Sequence, residues 1–248
     1  MEDGTLNEWN NGGGEFNSGG GDTVASQTQV HTGSWSAKQT INTSGGSSGT
    51  RMFRWGEYRS LPVGQSATAS VWVYIPAFVG IPSSNFNIYQ FKSYAQGAPS
   101  SSADVFFQVN LWNRVPGALS LRVTWGCGAN NPGSFPAGPF SNSGQGSSFQ
   151  CLDESEETRF VPLVNPSIPL GQWFELKSQI LPSSGFTGHF KFWLNGVLIW
   201  DLANVRTGYA NDVAVDGVDT QWAVNAYASN LSPSLYSHYI DDASITIP

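Results

Sequence analysis

Trp173, Glu175, Lys177 and Gln179 alternate with Phe174, Leu176, Ser178 and Ile180, and further along His189, Lys191 and Trp193 alternate with Phe190, Phe192 and Leu194. A period of two puts each set on one face of a strand, so this hairpin has an oily side and a wet side. The wet side mixes cations, a histidine, a carboxylate, an amide and tryptophans, a combination suited to a sugar. Aromatic faces stack on the C–H side of pyranose rings, while amides and charged groups read hydroxyls and carboxylates. The same residues also fit a purely structural account, with Glu175 paired to a lysine across strands and the tryptophans as edge cover.

Other segments repeat the pattern. Gln90, Lys92 and Tyr94 share a face; so do Gln108, Asn110 and Trp112, then Ser120, Arg122 and Thr124, and finally Asn225 and Tyr227. Arg54, Lys92, Arg122, Lys177 and Lys191 sit at alternating positions within predicted strands, which allows a locally basic cleft. The chain as a whole is acidic, with 18 Asp and Glu against 11 Lys and Arg and a net charge of −7. That balance argues against nucleic acid as a partner, since phosphate binding needs clustered cations over a wide surface. It leaves an acidic glycan open.

The elements that must hold these residues are strands. Segments 51–61, 67–77, 85–94, 104–113 and 118–125 alternate, the Trp173 to Asp201 stretch supplies three more strands with two tight turns, and the last 28 residues supply two. Residues 1–21 read as a short edge strand and a Gly- and Asn-rich turn, and 205–219 as a loop. No helical periodicity, repeat or linker divides the chain. These features predict an all-β fold with residues 1–248 as one jelly-roll sandwich of two antiparallel sheets. The polar faces of several strands would form the concave side of one sheet.

From about 126 to 169 the chain reads as a loop insertion, with the solvated acidic run 153–158 inside it. Cys127 and Cys151 flank its Gly-, Ser-, Pro- and Asn-rich part, and in an exported chain they would pair, closing the loop for about 3 to 4 kcal/mol. Only 12% of residues are charged, with 28 Gly and 10 Trp, a profile of a secreted, carbohydrate-facing β protein. No apolar run reaches membrane-spanning length. The opening Met-Glu-Asp-Gly does not read as a signal peptide and looks like a start that replaces a leader or an upstream domain, so the expectation of export rests on composition.

EDGTLNEW followed by HTGSWSAKQTI resembles the start of many secreted jelly rolls, in which acidic residues hold a structural calcium with an Asp near the C-terminus. That resemblance implies Ca²⁺ held by Glu2, Asp3, Asp241 and Asp242, the competing role being turns and caps. RMFRWGEYR, a strand ending YIP, Gln90-x-Lys92, W-x-x-x-K and the stretch from Gly188 through WLNG look, in that order, like the heparin-lyase and alginate-lyase type of concanavalin-like jelly roll. The resemblance spans most of the chain. It implies β-elimination from a uronate-containing polysaccharide, with Arg54 and Gln90 neutralising the carboxylate, Lys92 or His189 as base and Tyr227 as base or acid. Asn110, Trp112, Arg122, Lys177, Lys191, Trp193 and Asn225 would bind the substrate. The chain departs from the family where Gln-x-His becomes Gln-x-Lys and where Ala226 precedes Tyr227 in place of Gly-x-Tyr. The alternative is a noncatalytic, lectin-like binding module. A paired-carboxylate glycosidase would need a motif such as E-x-D-x-x-E, a serine hydrolase a G-x-S-x-G elbow, and the sequence has neither.

Overall fold

Phe174, Leu176, Ser178 and Ile180 are fully buried on β12 (Trp173–Leu181), and Phe190, Phe192 and Leu194 on β13 (Gly188–Leu194), so the alternation of the sequence fixes which side of the hairpin meets the core. The computed structural model describes residues 1–9, 15–54, 64–82, 86–93, 104–113, 116–126, 139–142, 148–150, 157–160, 164, 166–185, 187–208 and 221–248. Among them are sixteen strands in two antiparallel sheets, a jelly-roll sandwich.

The seven-stranded sheet runs in the order β1 (Glu15–Ser18), β4 (Ser47–Arg54), β15 (Gln221–Ser229), β6 (Phe86–Ser93), β7 (Asp104–Trp112), β8 (Ser120–Gly126) and β11 (Glu157–Phe160). The nine-stranded sheet runs β10 (Ser148–Gln150), β9 (Pro139–Asn142), β14 (Val197–Val205), β13, β12, β5 (Ala67–Tyr74), β16 (Leu235–Thr246), β3 (Ser36–Asn42) and β2 (Asp22–Ser26). Asn195 and Gly196, at φ 48° and 74°, turn β13 into β14, the left-handed pair that a two-residue hairpin requires.

Aromatic rings join the sheets. Phe107 of β7 stacks on Phe190 at 4.0 Å, Tyr89 of β6 meets Phe192 edge-on at 5.3 Å, and Phe86 meets Tyr236 of β16 at 4.9 Å. Removing such a ring costs about 3 to 5 kcal/mol. Ser178, the one polar residue on the inward side of β12, is explained here: its Oγ lies 2.5 Å from the Tyr89 hydroxyl, so the two buried groups satisfy each other.

Two expectations change. The segment 126–169, read as a loop, contains β9, β10 and β11, which extend the edges of both sheets. Edge strands of three or four residues pair through the backbone, so a Gly- and Ser-rich composition hides them. At the N-terminus the strand is not the opening segment but Glu15–Ser18, inside the stretch read as a turn; residues 1–9 form turns. Cys127, Cys151 and their expected bridge lie outside the described residues. No helix among those residues is long and apolar enough to cross a membrane.

Candidate active site

The side of the seven-stranded sheet turned away from its partner is polar across five adjacent strands. Inward positions on these strands are Met52, Val224, Tyr89, Val109 and Val123, all in the core. Outward positions stand in rows set by the register: Gly49, Tyr227, Asn87, Asn110 and Arg122 in one, and Ala223, Gln90, Gln108 and Thr124 in the next. Asn87, Gln90, Asn110, Asn225 and Arg122 are each less than a tenth exposed although they point out of the sandwich, so this face is enclosed.

Asn87 and Gln90 are three residues apart and in a regular strand would face opposite ways. The register shift between Asn87 and Tyr89 inserts one extra residue and returns both to the same face. Their amides then join a directed relay. Arg51 Nε, which can only donate, bonds Asn225 Oδ1 at 3.1 Å; Asn225 Nδ2 donates to Asn87 Oδ1 at 2.9 Å; Asn87 Nδ2 donates to Gln90 Oε1 at 2.7 Å. The Tyr89 backbone N–H also donates to Asn87 Oδ1, at 3.1 Å, which fixes that amide independently. Every orientation in the relay is thereby determined, and it ends on Gln90 Nε2, a buried donor with no acceptor.

Next to it, Asn110 donates to the Gln108 carbonyl at 3.3 Å and to Thr124 Oγ1 at 3.5 Å, and its Oδ1 is buried without a donor. Leaving a buried amide group unpaired costs about 1 to 3 kcal/mol, which a ligand bearing carboxylates and hydroxyls would offset. The Arg122 guanidinium lies 5.7 Å from the ring centre of Trp112, and Trp112 and Tyr227, both 37% exposed, are the most accessible aromatics of the face among the described residues. Tyr227 packs on Gly49, where a Cβ would sit 2.3 Å from the ring. Lys92 stands two residues beyond Gln90 on the same side of β6.

Gln90, Lys92, Asn110, Trp112, Arg122, Asn225 and Tyr227 are therefore brought together as the sequence suggested, but the other candidates are not. Arg54 has the inward parity of Met52; it donates to the Glu8 carbonyl and lines a cavity with Met1, Trp9 and Trp222. The cation beside Asn225 is Arg51. His189, Lys177, Lys191 and Trp193 lie on the outer face of the nine-stranded sheet, the full thickness of the sandwich away. His189 contacts Asp201 there, and Lys191 Nζ is 3.5 Å from the same carboxylate. This corrects the idea of one shared face: His189 cannot reach a substrate on Gln90, and none of the three histidines belongs to the amide face. His31 stacks on Trp72 at 3.9 Å, and His238 is buried beside Gln39. Sequence reasoning missed Arg51 and Asn87.

The four carboxylates expected to hold calcium are occupied by donors. Glu2 accepts from the Ser34 N–H at 2.6 Å, and Asp3 from the N–H and hydroxyl of Thr5 at 2.9 and 2.8 Å, bonds that hold its carboxyl below the usual range. Asp241 accepts from the N–H groups of His31 and Asp242, both at 2.8 Å; Asp242 meets His31 Nδ1 and Thr32 Oγ1, both at 2.6 Å. Burial raises the Asp241 carboxyl. Calcium takes six or more oxygens, and no group of three or more His, Cys, Asp or Glu is gathered for a metal among the described residues. These bonds make a clamp between the N-terminal segment, the 31–34 turn and β16, and Glu2, Asp241 and Asp242 also line one cavity.

Comparison with known proteins agrees with this architecture. An endo-β-1,4-glucuronan lyase from the fungus Trichoderma reesei superposes with a TM-score of 0.68 at 16% identity, over 99% of this chain and 93% of that one. An alginate lyase in complex with dimannuronate superposes with a TM-score of 0.50 at 7% identity, over 85% of this chain and 74% of that one. At such identities the likeness is one of fold. No curated protein matches the sequence. The polysaccharide lyase family, however, matches residues 1–244, nearly the whole chain. With a jelly-roll sandwich and an enclosed face of amides and guanidinium groups, this chain belongs to the polysaccharide lyase family.

Proposed function

We propose that the chain cleaves a uronate-containing polysaccharide by β-elimination on the amide face of the seven-stranded sheet, and that it works outside the cell. The observation that carries this is the relay from Arg51 to Gln90, because a buried donor without an acceptor suits a carboxylate. The lyases that share the fold act, by their names, on glucuronan and alginate, both polyuronates. Low charge and an abundance of Gly and Trp support export.

Elimination needs the uronate carboxylate neutralised so that the C5 proton becomes acidic. Gln90 Nε2 and Arg122 serve that purpose, and preorganised donors of this kind cost no reorganisation when charge develops. Tyr227 carries the proton: its phenolate takes hydrogen from C5, the electron pair forms the C4=C5 double bond, the C4–O4 bond breaks, and the same hydroxyl returns the proton to O4. Tyr227 thus ends as it began. Trp112 stacks a neighbouring sugar, and Asn110 Oδ1 accepts from a hydroxyl. Lys92 is the second cation within reach of the carboxylates.

The product, a 4,5-unsaturated uronate, absorbs in the far ultraviolet, so absorbance should rise when the protein is mixed with glucuronan or alginate. Tyr227→Phe should slow this by about 10² to 10⁴, the usual contribution of a general acid–base group. A noncatalytic module would bind the glycan with no absorbance change, and an unaffected Tyr227→Phe variant would remove the assignment while sparing the activity.

A further inference from the structure

Two buried amides of the enclosed face are unpaired in opposite senses. Gln90 ends the relay with a spare donor, while Asn110, fully buried on the neighbouring strand β7, is left with a spare acceptor. The orientation of Asn110 is fixed by its own bonds. Its Nδ2 donates to the Gln108 carbonyl at 3.3 Å and to Thr124 Oγ1 at 3.5 Å, so turning the amide over would set Oδ1 against a carbonyl oxygen. Its register neighbour Asn87 gives Nδ2 to Gln90 and Oδ1 to Asn225 and the Tyr89 N–H. Among the described residues nothing donates to Asn110 Oδ1, so the hydrogen it needs must come with the ligand. A 1,4-linked polyuronate has few to give. Its carboxylates, ring oxygens and bridging oxygens only accept, and on an internal sugar the donors are the hydroxyls at C2 and C3.

We infer that Asn110 makes the site selective for sugars with a free C2 or C3 hydroxyl, and that units O-acylated at that position are rejected. The two amides divide recognition between them: the Gln90 donor reads a carboxylate and the Asn110 acceptor reads a hydroxyl. An ester at the hydroxyl oxygen removes the hydrogen that Oδ1 requires, sets a carbonyl oxygen in its place and adds bulk to an enclosed face. A site built to hydrogen-bond a hydroxyl discriminates strongly against an analogue without one, because its own buried group is then left unpaired. An O-acetylated polyuronate therefore becomes a substrate only after its esters are hydrolysed, and O-deacylation is the class of reaction that must supply this protein. The inference rests on the lyase reading for the choice of polyuronate as ligand.

Initial rates on oligoglucuronates of one length, either unsubstituted or acetylated at both C2 and C3 oxygens, test it through the ultraviolet absorbance of the unsaturated product. The unsubstituted oligomer should have a kcat/KM higher by about 10²-fold or more. Forms acetylated at one oxygen only assign the hydroxyl, and one of the two should reproduce the loss. In Asn110→Ser the hydroxyl can donate as well as accept and leaves room for an ester, so the ratio should shrink roughly tenfold. Asn110→Thr, close to Asn in volume and well suited to a strand, should move the ratio the same way, and melting curves verify that both variants fold. Equal rates on the two oligomers overturn the inference while sparing the lyase reading. So does a ratio that both Asn110 variants leave unchanged, or a loss that neither single acetylation reproduces. If neither oligomer yields product, the lyase reading falls, and affinity electrophoresis through glucuronan and O-acetylated glucuronan gels decides the inference separately. Stronger retardation by the unsubstituted glucuronan, evened out by the Asn110 changes, keeps it; equal or absent retardation ends it.

Discussion

The ring edge of Tyr227 comes up against Gly49, its register partner on β4, so closely that a Cβ there would stand 2.3 Å from Cδ2 and 3.2 Å from Cγ and Cε2. A glycine inside a strand weakens it unless something must approach closely, and here what approaches is the aromatic ring of the proposed proton carrier. The absent side chain sets the height of the phenol above the sheet.

Gly49→Ala should therefore displace Tyr227 and lower kcat by about 10²-fold, the cost of misplacing a reacting group by an ångström. Overpacking would also destabilise the fold by about 1 to 3 kcal/mol, so the stability change alone decides nothing. The decisive measurement is a double-mutant cycle. If Gly49 acts through the phenol, Gly49→Ala should cost little further activity in a Tyr227→Phe background. Additive losses would give Gly49 a structural role only.

Chelation should leave the protein unchanged. Glu2, Asp241 and Asp242 already receive N–H and O–H donors from Ser34, His31, Thr32 and Asp242, and those bonds tie the N-terminal segment and the 31–34 turn to β16 without an ion. Melting curves in excess EDTA and in millimolar calcium should coincide. A ligand that binds the folded state raises its melting temperature by mass action, so a calcium-dependent rise would reinstate the metal.

Much of this was legible before any coordinates. The alternation on β5, β12 and β13 marked which side of each strand is buried, and Gln90, Asn110, Arg122, Asn225 and Tyr227 do share one face. Three things were hidden. In the segment RMFR, Met52 and Phe53 are both apolar, so parity could not say that Arg51 rather than Arg54 turns to the amides. Asn87 joins Gln90 only because of an irregularity at Ile88, which leaves no mark in composition. The hairpin and the amide strands also have the same amphipathic signature, and nothing local tells which of two back-to-back sheets a strand will enter.

His238 predicts how the fold responds to acid. It is fully buried between the sheets, with Nε2 2.9 Å from Gln39 Oε1 and the Phe86 and Tyr236 rings against it, and burial pushes its pKa from 6.5 down to about 3. Between those values the unfolded chain binds a proton that the folded chain refuses. Stability from this group is thus complete above pH 6.5 and falls as pH drops towards 3, with a limiting slope of about 1.4 kcal/mol per pH unit. Denaturant titrations from pH 7 to 4 should show the decline, and a His238→Gln variant, lower in stability at pH 7, should show a shallower one. Equal slopes would mean that His238 is not the group responsible.

The amide relay allows a sharper test, because its end depends on its middle. Asn87 Oδ1 accepts from Asn225 and from the Tyr89 N–H, and its Nδ2 donates to Gln90 Oε1; only that arrangement leaves Gln90 Nε2 as the free donor. In Asn87→Asp the acceptor side is preserved, but an ionised carboxylate has no hydrogen to give. Gln90 should then turn its Nε2 towards the new carboxylate and present Oε1 to the substrate, an acceptor facing a uronate carboxylate. We expect kcat/KM for a polyuronate to fall by about 10²-fold or more, the scale of losing one preorganised donor and adding a like charge. Protonation reverses the cause: below the pKa of the introduced group its O–H donates to Gln90 Oε1 and frees Nε2 again. The ratio of variant to wild-type activity should therefore rise as pH falls, whereas simple loss of packing would give a ratio independent of pH. Gln90→Ala should abolish that pH-dependent recovery, since no amide remains to turn. A flat ratio in Asn87→Asp, with Gln90 intact, would break the relay as an explanation of the site.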